Sequence, residues 1–543
     1  MKEYKKLNLG CGKDYKEGWI NVDVSADFKV DLIADLSKKF PFSDNSVDEI
    51  FASDILEHFI KENGEEFLKE CYRVLKIGGT ITIRTHSIYQ IFEQFSSDPL
   101  VLIHFLYGDT QETDVFGSHK YAYTEQSLRH RLSIIGFDVV SFEKETTNFL
   151  VKAKKKEHKE EKLTIGIIMQ SPDMGGAEMY MLSLIREFIG KKDRVLVASN
   201  KEKFLDKAKA IPVKTYEIPI ILDIIGNCRG LVKSVLLLPY ALYYYNNLLK
   251  EFKHKNVSVI LMSNFTEKLL VTFLSIFHHT PVVWIEYGRL ETVFGKHFYV
   301  PKIIYRLLKD TPKNIIVPSK NTFGSIITDA RVSMAKLALI PLGVPSGKKK
   351  KVKSEMDQQF QNKFIIGNVS RLTAEKGQEY LIRAMSSVIP ENPQVHLIIV
   401  GDGPDRELFQ QLVYDLKLDS YVTITGFVKD LSDYYSIMDV FVFPTIWDLE
   451  GFGLVVPEAM SHKLPVIASS IGPVPEIVDD NKTGILVEPK DSKLITQAIL
   501  RLLHNPLERK ELGENGYKKF LKKYTIQTSS SKIREILHEA TIK

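Results

Sequence analysis

Glu450 and Glu458 stand with seven residues between them in Glu450-Gly451-Phe452-Gly453-Leu454-Val455-Val456-Pro457-Glu458. The two glycines precede a predicted helix whose N-terminal amides offer partial positive charge to a phosphate. One carboxylate can then meet sugar hydroxyls and the other a nucleoside. Upstream, the strand-like run Phe364–Ser370 leads into Arg371-Leu372-Thr373-Ala374-Glu375-Lys376-Gly377. A guanidinium can clamp a diphosphate through paired hydrogen bonds and an ammonium adds a point charge, so Arg371 and Lys376 suit a departing nucleoside diphosphate. Between these motifs Val395–Val400 runs into Gly401-Asp402-Gly403-Pro404, and Asp439–Pro444 reads as a further buried strand. Taken singly, each charge is also a helix cap or a solvated surface group. Joined to Gly472–Ile477 and Thr483–Val487, they read as one constellation.

The N-terminal part of the chain carries a second set. Lys6-Leu7-Asn8-Leu9 reads as a strand that turns through Gly10-Cys11-Gly12 towards Trp19–Val22, a second strand ending in Asp23. In open α/β sheets ligands bind beyond the carboxyl ends of strands, where glycine admits close backbone approach and an acid can bind ribose hydroxyls. By itself such a turn is also an ordinary bend, and Asp23 a surface acid. Asp31–Leu36, containing Asp35, gives a third strand, and Ile50–Phe59 passes through Ser53, Asp54, Glu57 and His58. Histidine, with an unperturbed pKa of about 6.5, suits removal of a hydroxyl proton during group transfer. His58 is selected as that base ahead of His86 and His119, against the reading of a helix-start residue beside Glu57.

Between these parts, Leu163–Ile168 predicts a strand entering Pro172-Asp173-Met174-Gly175-Gly176-Ala177-Glu178, followed by an apolar helix. The Gly175–Gly176 turn lets backbone amides approach a phosphate or an acceptor, with a simple tight turn as the competing reading.

With Tyr72–Gly79, the order of the N-terminal motifs resembles class I S-adenosylmethionine-dependent methyltransferases over residues 5–152, particularly those found with surface-glycan enzymes. The resemblance implies that Gly10 and Gly12 line the methionine side of S-adenosylmethionine, Asp23 binds its ribose, Asp35 and Leu36 border its adenine, and Ser53 lies beside it. Two departures stand out: Asn8 replaces a frequent acid, and the short interval after Gly12 leaves little room for the usual first helix. The Arg371–Glu458 constellation resembles the nucleotide-sugar half of family 4 retaining glycosyltransferases, which have the GT-B fold of two facing Rossmann-like domains. It implies that Arg371 and Lys376 hold the donor diphosphate, Glu450 the transferred sugar and Glu458 the ribose. Gly401, Gly451, Phe452 and Gly453 then line the donor, with Gly175 and Gly176 opposite. Arg371, Lys376 and Glu450 are the expected catalytic groups. Relatives often place a histidine after the strand matching Val282–Ile285, where this chain reads Glu286-Tyr287-Gly288. No histidine role carries over, and Glu286 and Tyr287 stay open between site and structural residues. No Asp-X-Asp sequence occurs, so no metal is expected.

These residues require elements to position them. The 543-residue length implies three or four compact units, and short β-branched runs alternating with helical segments imply an α/β fold throughout. The lysine-rich stretches at 152–162 and 347–355 read as solvated linkers. The expected division is a methyltransferase-like domain over 1–154, a charged linker over 155–162, an acceptor-side domain over 163–346, a joint over 347–361 and a donor domain over 362–543. The helical stretch Pro506–His538 is expected to brace the two glycosyltransferase halves, and Ile340–Val344 resembles the segment that connects them. Lys+Arg of 73 against Asp+Glu of 68 leaves +5, which does not suggest a nucleic-acid binder. Three cysteines make no disulfide framework, and the N-terminus lacks a signal-peptide core. The uncharged runs Ser234–Leu249 and Leu269–Ile285 fall short of the ~20 residues that cross a bilayer.

The expectation is a cytoplasmic two-activity enzyme, peripheral to the inner membrane face where its acceptor is lipid-linked. It would transfer a sugar from a nucleotide donor to a glycan and methylate a glycan-related acceptor in bacterial surface polysaccharide assembly. The alternatives are a docking N-terminal domain that binds the cofactor without turnover, and methylation of protein or nucleic acid.

Overall fold

The computed structural model describes residues 5–96, 121, 123–156, 162–170, 174–200, 203–347 and 358–542. His119, Pro172, Asp173 and the lysines at 348–353 lie outside the described residues, as does most of each expected linker. The chain forms two compact units, residues 1–161 and 162–543.

In the first unit, β1 (Lys6–Leu9), β2 (Ile20–Asp23), β3 (Leu32–Ile33), β4 (Val47–Ser53), β5 (Leu75–His86), β6 (Phe137–Lys144) and β7 (Asn148–Lys155) form one sheet, ordered β3-β2-β1-β4-β5-β7-β6. Only β7 runs against its neighbours. Leu7, Leu9, Val22, Ile50 and Ile83 are buried, as expected of parallel strands covered on both faces. Turns alone link β1 to β2, as the short interval requires. Asn8, buried opposite Asn21 in the β1–β2 ladder, donates to the Asn21 side chain at 2.9 Å and to the Asp14 carbonyl at 2.6 Å. This satisfies the position where an acid was the family expectation. The helix α1 (Lys61–Val74) buries Phe67, Leu68 and Cys71 against the sheet.

The second unit holds two sheets. The first comprises β8 (Thr164–Ile168), β9 (Arg194–Asn200), β10 (Lys214–Ile218), β11 (Val259–Met262), β12 (Val282–Ile285), β13 (Asn314–Val317) and β14 (Leu337–Leu339), ordered β10-β9-β8-β11-β12-β13-β14 and all parallel. The other comprises β15 (Phe364–Val369), β16 (Val395–Val400), β17 (Val422–Ile424), β18 (Val440–Phe443), β19 (Val466–Ser469) and β20 (Ile485–Val487), ordered β17-β16-β15-β18-β19-β20, again parallel. Helix α2 (Gly176–Gly190) follows β8, and α3 (Cys228–His254), α4 (Phe265–His278) and α5 (Val300–Leu308) cover part of the first sheet. Gly166 in β8 lets Phe252 of α3 pack hard on the strand, since an added Cβ would lie 2.6 Å from that ring.

In the half built on the second of these sheets, α6 (Val455–Ser461) packs on α7 (Pro506–Lys523). The last helix, α8 (Ile526–Thr541), leaves that half and packs on α2 and the ends of β11, β12 and β13. Arg534 of α8 makes two hydrogen bonds to the buried Asp193 carboxylate at 2.7 and 2.9 Å, and Tyr180 of α2 bonds Ser529 at 2.6 Å. The connecting segment passes beneath: an added Cβ on Gly343 would strike the Thr525 carbonyl at 2.2 Å, and Val344 bridges Thr525. One apolar core runs from Ile165 and Ile167 through Ile533 to Phe452 and Val456. Removing the cation from a buried pair leaves the acid uncompensated. Arg534→Ala is expected to lower unfolding free energy by about 3 kcal/mol in urea titration, and an unchanged midpoint and slope would contradict this role of α8.

Candidate functional sites at the sheet switch points

Each sheet has a switch point where strand order reverses, between β1 and β4, β8 and β11, and β15 and β18, the first sheet reversing again where β7 is inserted before β6. Such switch points open a crevice beyond the strand ends, where α/β proteins hold ligands. In the C-terminal half the crevice collects residues far apart in sequence. Lys376, on a 3-10 turn after β15, meets Glu450, on the loop after β18, at 2.5 Å. Its ammonium lies 5.4 Å from the Trp447 ring centre and 5.9 Å from that of Phe443. Arg371, on the same loop after β15, is exposed, and its charge helps the Thr373 hydrogen bond to lower the Glu375 carboxyl.

Glycines build the loops. Gly377 has φ +69° and an added Cβ there would sit 1.9 Å from the Pro444 carbonyl oxygen. Gly401, with φ +148°, approaches the Ser370 carbonyl as closely, so contact within the protein already demands a glycine there. Gly453 takes φ +81° at the start of α6, while Phe452 turns into the core against Tyr524. Glu458 projects from α6 and accepts a hydrogen bond from the Tyr435 hydroxyl at 3.0 Å. Burial raises its carboxyl to about 7.

The opposing half comes close. Gly175 caps α2, its amide donating to the Glu178 carboxylate at 2.8 Å, and an added Cβ on Gly176 would lie 3.3 Å from Leu454. A Cβ on Gly451 would lie 2.5 Å from the Tyr287 carbonyl oxygen, and one on Gly288 would be 3.2 Å from the Gly451 Cα. The backbones of the two halves therefore meet without intervening side chains, beside the Lys376–Glu450 pair. The two residues that sequence left open separate here. Glu286 is buried against Lys268 at 2.5 Å and accepts from the Tyr305 hydroxyl at 3.0 Å, a structural network. Burial holds the Tyr287 phenol well above its ordinary range, so it supplies no titrating substitute for histidine.

In the first unit, Gly10 (φ +63°) packs on Ile55, while Gly12 (φ +46°) has open space where a Cβ would point. The Asp23 carboxylate accepts from the amides of Gly12 at 2.9 Å and Ser25 at 3.1 Å, which places the acid and the glycine turn together. This open, acid-edged turn fits the ribose and methionine parts of S-adenosylmethionine. Asp35 is held by Ser37 and Lys38, which lower its carboxyl to about 2, and the Leu36 side chain belongs to the core. Ser53 donates to Asp54 at 2.9 Å. His58 ends the 3-10 turn Leu56–His58. His86, at the end of β5, instead joins Asp54 and Glu57, residues that sequence reading did not select. The Asp54-x-x-Glu57 spacing was visible, but their convergence on His86 depends on the sheet.

Comparison with known proteins agrees with this architecture. The family model described as Methyltransferase domain matches residues 8–83, and that described as Glycosyl transferases group 1 matches residues 350–519. The chain is 28% identical over 248 residues to the capsular polysaccharide biosynthesis glycosyltransferase CapM of Staphylococcus aureus, covering 44% of this chain and 65% of that protein. It is 34% identical over 180 residues to a GDP-mannose-dependent alpha-(1-6)-phosphatidylinositol monomannoside mannosyltransferase of Mycolicibacterium smegmatis, covering 32% of this chain and 47% of that protein. The matches thus span less than two thirds of either relative. Among solved structures, Anabaena Alr3699/HepE in complex with UDP and glucose superposes with a TM-score of 0.58 at 21% identity, over 69% of this chain and all of that one. A glycosyltransferase from Rickettsia africae ESF-5 gives 0.59 at 18% identity, over 70% of this chain and 98% of that one. The latter likenesses are of fold. Residues 8–83 thus match a methyltransferase domain, and the second unit has the two Rossmann-like sheets of the GT-B fold.

The Glu458 environment has a measurable consequence. Its folded carboxyl titrates at about 7 rather than the ordinary 4.5, so the folded protein holds a proton that the unfolded chain releases. Stability from this group is present below the unfolded value and lost as pH rises from 4.5 towards 7. Glu458→Gln is expected to flatten that part of the decline when urea unfolding is compared at several pH values, and an equally steep decline would contradict the assignment.

Proposed function

We propose that the GT-B part transfers a glycosyl residue from a nucleotide-sugar donor to a glycan or lipid-linked acceptor, with retention of configuration. The observation that carries this reading is the meeting of Lys376 and Glu450 at the β15–β18 switch point, next to the contact of Gly451 with the opposing half. Arg371 and Lys376 would stabilise the diphosphate as its bond to the sugar breaks. Glu450 would hold the hydroxyls of the transferred sugar and orient Lys376. Glu458 would bind the ribose, and the backbone amides of Gly451 and Gly453 would line the donor. Retention follows from attack by the acceptor oxygen on the face that the diphosphate leaves. Close approach of the halves would exclude water and limit hydrolysis of the sugar.

The N-terminal domain is proposed to methylate a glycan-related acceptor. S-adenosylmethionine, when bound, supplies a methyl group on a positively charged sulfur. Gly10, Gly12 and Asp23 would hold it, with Asp35, Leu36 and Ser53 beside it, and His58 would remove the acceptor proton. The alternative is a domain that binds the cofactor and docks without turnover.

Nucleotide sugars should raise the unfolding temperature selectively and undergo slow hydrolysis. Arg371→Ala and Glu450→Gln should each reduce turnover about 100-fold or more. Unchanged responses in both would remove the donor assignment. Calorimetry with S-adenosylmethionine, followed by methyl transfer to extracted glycans, separates turnover from docking, and full methyl-transfer rate in His58→Ala would remove its proposed role.

We also propose that the acceptor half meets a membrane surface. Among the described residues, no helix is long and apolar enough to cross a membrane. Helix α3 nevertheless exposes Val232, Val235, Leu236 and Tyr243, with Arg229 and Lys233 at its start, and α4 beside it exposes Phe273 and Phe277. Such a basic-edged apolar face suits insertion at the headgroup boundary. Full-length protein should co-sediment with phosphatidylglycerol vesicles, and Val235→Glu/Leu236→Glu should abolish this. Equal sedimentation of the double variant would contradict docking through α3.

A further inference from the structure

At the carboxyl ends of β4 and β5, three side chains converge in a pattern that the donor chemistry does not use. One oxygen of Asp54, one of Glu57 and one His86 ring nitrogen all lie within 4.8 Å of one another. Glu57 is only 1% exposed. Its Oε2 accepts from the Thr85 hydroxyl at 2.8 Å, while its buried Oε1 has no hydrogen bond among the described residues and lies 3.6 Å from His86 Nε2. An uncompensated buried carboxylate oxygen is costly, so this atom points to a cation in the gap.

The surrounding bonds orient the histidine. Asn148 Nδ2 donates to Asp54 Oδ1 at 2.7 Å, so the Asn148 amide oxygen faces His86 Nδ1, at 2.8 Å. Thr147 donates to the same amide oxygen at 2.9 Å. That arrangement assigns the proton to Nδ1 and directs the Nε2 lone pair towards Glu57. A ring N–H donated to a carbonyl group is the usual outer-shell support of a metal-binding histidine. Asp54 also accepts from Ser53 and pairs with Arg84, which in turn pairs with Glu145. These bonds hold its carboxylate in place, and its oxygens retain further lone pairs.

We propose that Asp54, Glu57 and His86 bind a first-row divalent cation in the N-terminal domain. One imidazole nitrogen and two carboxylates suit manganese, iron or zinc better than the all-oxygen sets usual for calcium. The sequence expectation of no metal rested on the absence of an Asp-X-Asp motif, a feature unrelated to this cluster. Among the described residues three ligands are offered, fewer than such an ion takes. On the methyl-transfer reading, on which this part rests, the remaining positions take hydroxyl oxygens of a sugar-like acceptor and favour its deprotonated form.

The test uses full-length protein freed of metal by chelation and titrated with Mn2+ without nucleotide, with free Mn2+ followed by electron paramagnetic resonance. One saturable site per chain is expected. Glu57→Gln and His86→Gln should abolish it, and Asn148→Ala should weaken it about tenfold or more. Asp54→Asn, at a half-exposed position, provides a ligand deletion that opens no buried cavity, and circular dichroism checks each fold. Absence of a saturable site, or a site unchanged in folded Glu57→Gln and Asp54→Asn, would overturn the proposal and leave a shared proton in the gap. Mn2+ binding without methyl transfer to any glycan would sink the methyl-transfer reading while the metal site stands.

Discussion

The pairing of Arg534 with Asp193 carries the second unit, because it ties the last helix of one half to the body of the other. Asp193 is buried and also accepts the Leu163 amide at 2.9 Å, so the same carboxylate anchors the start of β8. Such a pair offsets its desolvation only when its hydrogen bonds are well made, and two bonds from one guanidinium meet that condition. Lys191 adds a bond to Ser531 at 2.6 Å, and Tyr180 adds one to Ser529. With α8 seated, the strand ends of the two sheets face each other.

That seating explains the glycines at the cleft. Gly176, Gly288 and Gly451 occupy places where the halves approach closely, and a Cβ on Gly451 would meet a backbone carbonyl that cannot move aside alone. The cleft is thus narrow because backbone meets backbone. In a narrow cleft less water screens a charge, so the proposed attraction of Lys376 for a phosphate would be strengthened there.

Two lysine–glutamate pairs illustrate how environment divides roles. Lys268 and Glu286 are both buried and joined by Tyr305, deep beneath the strand ends. Lys376 and Glu450 make a contact of the same length but border the crevice at the strand ends. The first pair completes an internal network, whereas the second is placed where the proposed donor would exchange its partners. The buried acid of the N-terminal domain, Glu57, differs from both because one of its oxygens has no hydrogen bond.

The α/β class, the methyltransferase-like start and the nucleotide-sugar motifs were legible because they are local. A strand ending in glycine or acid is written in a few adjacent residues, and Glu450 and Glu458 share one loop and helix. The residue types at Asn8 and Glu286 were equally visible, but not their meanings. Asn8 is explained by its cross-strand partner Asn21, and Glu286 by Lys268 and Tyr305 from neighbouring helices. His86 shows the limit most clearly. Its side chain meets Asn148 because β5 and β7 pair antiparallel in a register that sets the two residues opposite each other, while Glu57 arrives from the turn after β4. Sequence by itself determined which strands end in chemically useful residues, because hydrophobic periodicity and turn composition are local properties. Only tertiary structure decided which of those ends meet, because strand order and helix packing, rather than distance along the chain, set the separation of side chains.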